Sequence, residues 1–249
     1  MAREYIPGKM EYHIRVKPGE VARYVLLPGD PARAELMAKR FDEAKEIAFN
    51  REFRTFTGKV GGTPISVTST GIGCPSAAIA VEELAKCGAD TFIRVGTAGA
   101  VSPKVKTGEL VIANAAVREE GTSPQYVPLG YPAVANLEVT NALIEAGSRL
   151  RVKHHVGPSV SKDSFYSEEP ERAPLAEESA QRWKVWQRAR VLATEMECST
   201  IYTLCGINGW RGGGVLAIIG PIGKIIDPHA GIDKAIDVAI EAVKILAKR

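Results

Sequence analysis

Arg94 is the most informative residue of the chain. It interrupts the run Thr91-Phe92-Ile93-Arg94-Val95, which otherwise reads as a buried strand. A guanidinium buried without a counter-charge is prohibitively unfavourable, so Arg94 must meet an anion. One source is the chain's own 29 acidic residues, which would make a structural ion pair. The other is a ligand. The residues that follow, Gly96-Thr97-Ala98-Gly99, add main-chain amides uncovered by side chains and a threonine hydroxyl, both suited to an oxyanion. A second turn, Pro28-Gly29-Asp30-Pro31, ends another apolar strand, with Arg33 in the first turn of the helix beyond. Taken singly, Gly29 is an ordinary turn and Arg33 a solvated helix residue. Together, Gly29, Arg33, Arg94 and Thr97 suit a doubly charged tetrahedral anion, most simply phosphate. The Gly-x-Gly-x-x-Gly of dinucleotide sites and the Lys-Ser/Thr of a P-loop are both absent from the glycine turns of Thr68–Ala100.

A second polar group precedes an apolar helical pattern at Glu195-Met196-Glu197. Acidic residues at a helix start are commonly dipole partners, the simpler reading for Glu195. Glu197, beside Met196, is better placed to take two hydrogen bonds from a vicinal diol such as that of a ribose. Cys74, Cys87, Cys198 and Cys205 show no Cys-x-x-Cys spacing and sit in apolar helical stretches, which implies reduced, buried thiols and no zinc site.

These groups need a scaffold that gathers strand ends. Strand-like runs ("YVLL", "EFRTFTGKV", "TPISVTST", "TFIRVG", "ELVIANAAV", "HHVGPSVSKDSF", "GGVLAIIGPIG") alternate with helical ones ("PARAELMAKRF", "CPSAAIAVEELAKCG", "NLEVTNALIEAGSRL", "TEMECSTIYTLCGING", "DKAIDVAIEAVKILAKR"). A charged stretch, "EEPERAPLAEESAQRWKVWQRARV", reads as an exposed helical region. Nearly continuous apolar strands alternating with helices predict an α/β fold with a mixed, largely parallel central sheet, whose ligands collect where strands end. At 249 residues and 45% hydrophobic, with no linker or repeat, the chain is expected to form a single domain over residues 1–249. A net charge of +3, from basic and acidic residues spread along the chain, implies no nucleic-acid partner. No apolar run approaches the ~20 residues of a membrane span, and the N-terminal stretch carries charges throughout. A soluble, cytoplasmic protein is expected.

The motifs "LLPGDPARAELMAKRF", "NREFRTFTG", "STGIGCPSAAIAVEEL", "FIRVGTAGAV", "KDSFY" and "TEMECSTIYTL" together resemble the nucleoside phosphorylases of the hexameric type, and most nearly their uridine-cleaving members. The match is colinear from about Tyr24 to Cys205; beyond Gly212 only the pattern agrees. The resemblance implies a three-layer phosphorylase-like fold and phosphorolysis of a nucleoside to free base and ribose 1-phosphate. It implies that Gly29, Arg33, Arg94 and Thr97 hold phosphate, with Arg51 supplied by a neighbouring subunit. Met196 and Glu197, with Glu195 alongside, would hold the ribose, and His13 of a neighbour its 5′-hydroxyl. Arg94 and Glu197 would carry the catalysis. Phe165 would pack on base or sugar, and Gly99 would line the base pocket. Glu52, Ile72 and Ser76 match positions that hold a monovalent cation, such as potassium, between two subunits. No other cofactor is implied, inorganic phosphate being a co-substrate. The partner would be the chain itself, as a hexamer built from three dimers.

The sequence departs from the family where the base is read. Uridine-cleaving members place Gln and Arg shortly after Asp-x-Phe-Tyr; here Glu169 and Glu171 occupy those positions without a gap, or Pro170 and Arg172 with one inserted residue. An ionised glutamate satisfies N3–H of uracil but repels the O2 and O4 acceptors, whereas guanine offers a carboxylate adjacent donors. Equally, these glutamates are simply solvated. Purine-cleaving relatives carry an aspartate near the end of the last core strand, where this chain has Gly220-Pro221-Ile222, and Lys224 is a candidate stand-in for an arginine of the uridine-cleaving members. Uridine is the expected substrate; a purine nucleoside or methylthioadenosine is the alternative.

Overall fold

The structure is a computed structural model that describes residues 4, 6–169, 171 and 173–249. Ten strands join one sheet: Tyr24–Leu27 (β1), Glu43–Asn50 (β2), Phe53–Val60 (β3), Thr63–Thr68 (β4), Thr91–Ala100 (β5), Leu110–Glu119 (β6), Ala133–Val134 (β7), His154–Lys162 (β8), Ala193–Glu195 (β9) and Arg211–Pro221 (β10). Six α-helices accompany them among the described residues: Pro31–Ala38 (α1), Cys74–Lys86 (α2), Leu137–Arg149 (α3), Ala176–Arg188 (α4), Cys198–Asn208 (α5) and Ile232–Leu246 (α6).

The sheet is mixed. Parallel pairings link β4, β1, β5 and β10 in turn, and also β6, β8 and β9. Antiparallel pairings add β3 and β2 at one side and join β10 to β6 and β9 to β5. Because β5 pairs with both β9 and β10, strands β5, β10, β6, β8 and β9 close into a ring. Closure removes exposed edges from this half of the sheet.

Both faces of the central strands are buried, which is why they read as unbroken apolar runs. Val25, Leu27 and Phe92 pack with Val81 and Leu84 of α2 and Ile201 and Leu204 of α5. Leu26, Ile93 and Val95, pointing the other way, pack with Met37 of α1, Leu143 of α3 and Ile236 and Ile240 of α6. The expected layered α/β fold is therefore present. Helix α4, as its composition indicates, has no buried residue; Trp183 and Trp186 pack it on a small cluster around Val101, Val160 and Val191. All four cysteines are free and buried. Among the described residues no helix is long and apolar enough to cross a membrane.

Three local expectations need correction. Strand β5 does not stop at Gly96 but runs to Ala100, because Thr97–Ala100 continue to pair with β10. Thr194 and Glu195 are not helical: they pair with β5 and β8 as β9, and α5 starts only at Cys198. Strand β2 was not foreseen from the sequence; it is a mostly exposed sheet edge, so no apolar alternation marks it.

Near the start of β6, Glu109 meets Lys153 Nζ at 2.6 Å and His155 Nε2 at 2.8 Å. Hydrogen bonds from Lys153, then His155, push its carboxyl down to about 2 from an ordinary 4.5. A depressed carboxylate stabilises the fold above its unfolded value, and that contribution disappears as pH falls from about 4.5 to about 2. Urea unfolding of Glu109→Gln is expected to show a smaller stability loss between pH 5 and pH 3 than the parent; equal losses would refute this role.

Candidate active site

A cavity of about 890 Å³ opens where β1, β4, β5, β8, β9 and β10 end. Two loops form its floor, and the sheet register holds them together. Thr70 N–H donates to Pro28 O at 2.9 Å and Gly71 N–H to Gly29 O at 2.9 Å, so the turns after β1 and β4 are stitched side by side. Gly71 has φ +69°, and a Cβ there would come within 2.7 Å of Glu52 Cγ, so the close approach requires glycine.

Arg94 projects from β5 into this cavity and is 5% exposed. Its Nε donates to Glu195 Oε2 at 3.0 Å, and its Nη2 pairs with Glu197 Oε2. The ion pair that competes with a ligand on sequence grounds thus exists twice over. Nη1 remains buried without a partner among the described residues. Burial alone would lower the Arg94 pKa, but Glu197 and Glu195 outweigh it and hold it above its ordinary value. Gly96 makes room for the guanidinium: a Cβ there would lie 2.8 Å from Arg94 Nη2 and 2.9 Å from Cζ.

The two glutamates differ. Glu195, at the end of β9, is saturated: Oε2 also accepts from the N–H groups of Glu197 at 2.8 Å and Cys198 at 2.9 Å, and Oε1 accepts from Ser161 Oγ. It neutralises the first amides of α5, as the dipole reading holds, and aims Arg94. Glu197 accepts the Gly73 N–H on Oε1 at 2.6 Å and faces Arg94 with Oε2. Burial, opposed by Arg94, raises its carboxyl above the ordinary range. Arg33 shares the cavity; burial first, then the charge of Arg94, lowers its pKa, and Asp30 Oδ2 lies 3.8 Å from its Nε.

Gly29, Thr97, Gly99, Met196 and Phe165 complete this grouping on the cavity wall, with Glu169 and Lys224. The wall beside Phe165 also carries residues not singled out from the sequence, Lys162 and Glu168, whose side chains pair at 2.6 Å. Lys162 escapes notice because β8 reads as polar, so a buried lysine does not stand out there as Arg94 does in β5.

Residues 23–249 match the model of the phosphorylase superfamily. The chain belongs to that superfamily. A uridine phosphorylase of Thermococcus kodakarensis is 54% identical to it over 242 residues, covering 96% of this chain and 87% of that protein. A uridine phosphorylase of Treponema pallidum is 44% identical over 242 residues, 95% and 94% of the two chains. A guanosine phosphorylase of Halorubrum lacusprofundi is 39% identical over 208 residues, 84% and 82% of the two.

Not every candidate of this superfamily member reaches its own cavity. His13 and Arg51 do not line it. Arg51 is exposed in the β2–β3 turn. His13 is held by Glu83, whose carboxylate accepts the His13 N–H at 3.0 Å, the Ile14 N–H at 2.9 Å, and lies 2.6 Å from His13 Nδ1. Arg172 and Pro170 lie outside the described residues, and Glu171 is not on the wall. Glu52 and Ile72 line the cavity mouth, Ile72 being 77% exposed. Ser76 Oγ donates to Glu52 Oε1 at 2.8 Å and also contacts Thr70 O, which brings Ser76 and Glu52 of the expected cation site together.

Gly96→Ala tests whether Arg94 is positioned for an anion. The new methyl displaces the guanidinium against a rigid wall, and calorimetric phosphate binding is expected to weaken at least about tenfold while the far-ultraviolet spectrum stays unchanged. Parental affinity would show that Arg94 serves the fold alone.

Proposed function

We propose that this protein catalyses phosphorolysis of a nucleoside, with uridine preferred, giving free base and ribose 1-phosphate. The observation that carries the reading is the convergence of Arg33 and Arg94 on one cavity with Glu197, while Arg94 Nη1 is buried without a partner among the described residues. The uridine phosphorylases at 54% and 44% identity support the choice of base.

In this reading Arg94, Arg33, Thr97 and the Gly29 turn hold inorganic phosphate beneath C1′ of the sugar, removing much of the entropic barrier to attack. Glu197 accepts hydrogen bonds from the ribose hydroxyls through its remaining lone pairs, beside Met196, and Glu195 positions Arg94. As the glycosidic bond lengthens, positive charge gathers on the sugar ring and the phosphate dianion stabilises it. A phosphate oxygen then bonds to C1′ as the C1′–N bond breaks; the base leaves with the bonding electron pair and takes up the proton of the hydrogen phosphate, giving neutral base and the sugar phosphate dianion. No covalent enzyme intermediate is needed.

Charge balance supports a second subunit at the site. Within the cavity two guanidiniums, Arg33 and Arg94, meet Asp30, Glu195 and Glu197, so the group has no surplus positive charge before a dianion enters. Arg51 from a neighbour supplies the further cation, and His13 of that neighbour, oriented by Glu83, reaches the 5′-hydroxyl. The assembly follows as a dimer at minimum and a hexamer of three dimers, with Glu52, Ile72 and Ser76 holding a potassium-like ion near each interface.

Incubation with uridine is expected to release uracil only when phosphate is present, and Arg94→Ala is expected to lose at least about a hundredfold in kcat/KM. Release of uracil without phosphate, or unchanged kinetics in the variant, would defeat the proposal. Arg33→Ala and Arg51→Ala are each expected to be nearly inactive, yet their co-expressed mixture is expected to recover part of the activity, since a mixed dimer has one intact site. No recovery would place Arg51 outside the partner's site.

A further inference from the structure

The cavity wall beside Phe165 holds a charged pair that phosphate chemistry does not use. Lys162 is 6% exposed, and its ammonium meets Glu168 Oε1 at 2.6 Å and donates to Thr194 Oγ1 at 3.0 Å. Glu168 Oε2 accepts the Gly223 N–H at 2.9 Å. The Phe165 ring centroid is 5.8 Å from Lys162 Nζ, and all three residues line the cavity. An ammonium has three donors and a carboxylate about four acceptor sites. The pair therefore keeps one donor and further acceptor capacity beyond these contacts. A buried ion pair is a weak source of stability, since apolar residues of similar volume serve as well or better. Its place on a ligand cavity points to recognition.

We propose that Lys162 and Glu168 read the cis-amide edge of the base, the adjacent N–H and C=O, and so select oxo bases over amino bases. The inference rests on the nucleoside reading above. Uracil shows N3–H beside C4=O, and guanine and hypoxanthine show N1–H beside C6=O. In each, the N–H donates to Glu168 and the carbonyl accepts from Lys162, with the ring packed on Phe165. Cytosine and adenine invert the edge: a ring-nitrogen lone pair faces the carboxylate and an amino group faces the ammonium, so both contacts become repulsive. The donor that uracil needs, and that Glu169 and Glu171 cannot give, is thus Lys162. One edge serves both pyrimidine and purine, in keeping with uridine and guanosine phosphorylases among the similar proteins.

The test is calorimetric titration of the purified oligomer, saturated with phosphate, with uracil, hypoxanthine, cytosine and adenine. Uracil and hypoxanthine are expected to bind at least about a hundredfold more tightly than the two amino bases. A Glu168→Gln carboxamide can turn either its N–H or its C=O to the base, so the gap is expected to shrink below about tenfold. Lys162→Met is expected to weaken uracil and, by removing the ammonium that opposes the amino group, to tighten cytosine, so the gap between them narrows. A ligand-side control needs no variant to fold: 3-methyluracil, which lacks the N–H, is expected to lose about a hundredfold on the parent protein. Equal affinity for oxo and amino bases, or 3-methyluracil binding as well as uracil, would overturn the proposal. Binding is read without turnover. Selective binding with no phosphorolysis would reject the enzymatic reading and keep this one, and equal cleavage of uridine and cytidine would do the reverse.

Discussion

The charge on Arg94 must be neutralised inside a sheet, and much of the surrounding architecture exists to do so. In register it lies between Leu27 of β1 and Gly214 of β10, with only 5% of its surface exposed. Glu195 and Glu197 surround it, and Glu195 is itself held by Ser161 of β8 and the first amides of α5. Breaking such a buried pair costs roughly 3–5 kcal/mol, because the partner left behind cannot be rehydrated. The same contacts fix the guanidinium in orientation, as the proposed phosphate contact requires. Stability and preorganisation here come from one set of bonds.

Ring closure in the sheet makes those contacts possible. Strand β9 is only Ala193–Glu195, yet it bridges β5 and β8, and so it delivers Glu195 to Arg94 on one side and Thr194 to Lys162 on the other. Alternation along a strand sends successive side chains to opposite faces. A three-residue strand thereby connects the Arg94 ion cluster to the Phe165 wall. The two stitched turns after β1 and β4 complete the floor, and the bare main chain of Gly29 and Gly71 lets them touch.

The cavity holds two groups of polar residues. In the proposed reaction Arg33, Arg94 and Glu197 meet the phosphate and the sugar. In the proposed recognition Lys162, Glu168 and Phe165 meet the base. The two groups are joined through β8 and β9, where Ser161 holds Glu195 and the adjacent Lys162 meets Thr194, but they share no side chain. That division accords with one superfamily holding both uridine and guanosine phosphorylases.

The amino-acid sequence by itself determined the layered α/β class, since strands buried on both faces leave unbroken apolar runs, and it singled out Arg94, since a cation within such a run stands against its surroundings. The glycine turns and the pair of glutamates around Met196 were legible for the same reason: local chemistry carries the signal. What only the tertiary structure decided was partnership. That Glu195 aims Arg94 while Glu197 faces the cavity depends on a strand, β9, whose formation rests on pairing with β5 and β8 rather than on its own three residues. Lys162 and Glu168 meet on a wall assembled from β8, β9 and the segment after β10. Edge strand β2 left no apolar pattern to read. Contacts between residues distant in the chain obey the geometry of the closed sheet, and no local spacing encodes them.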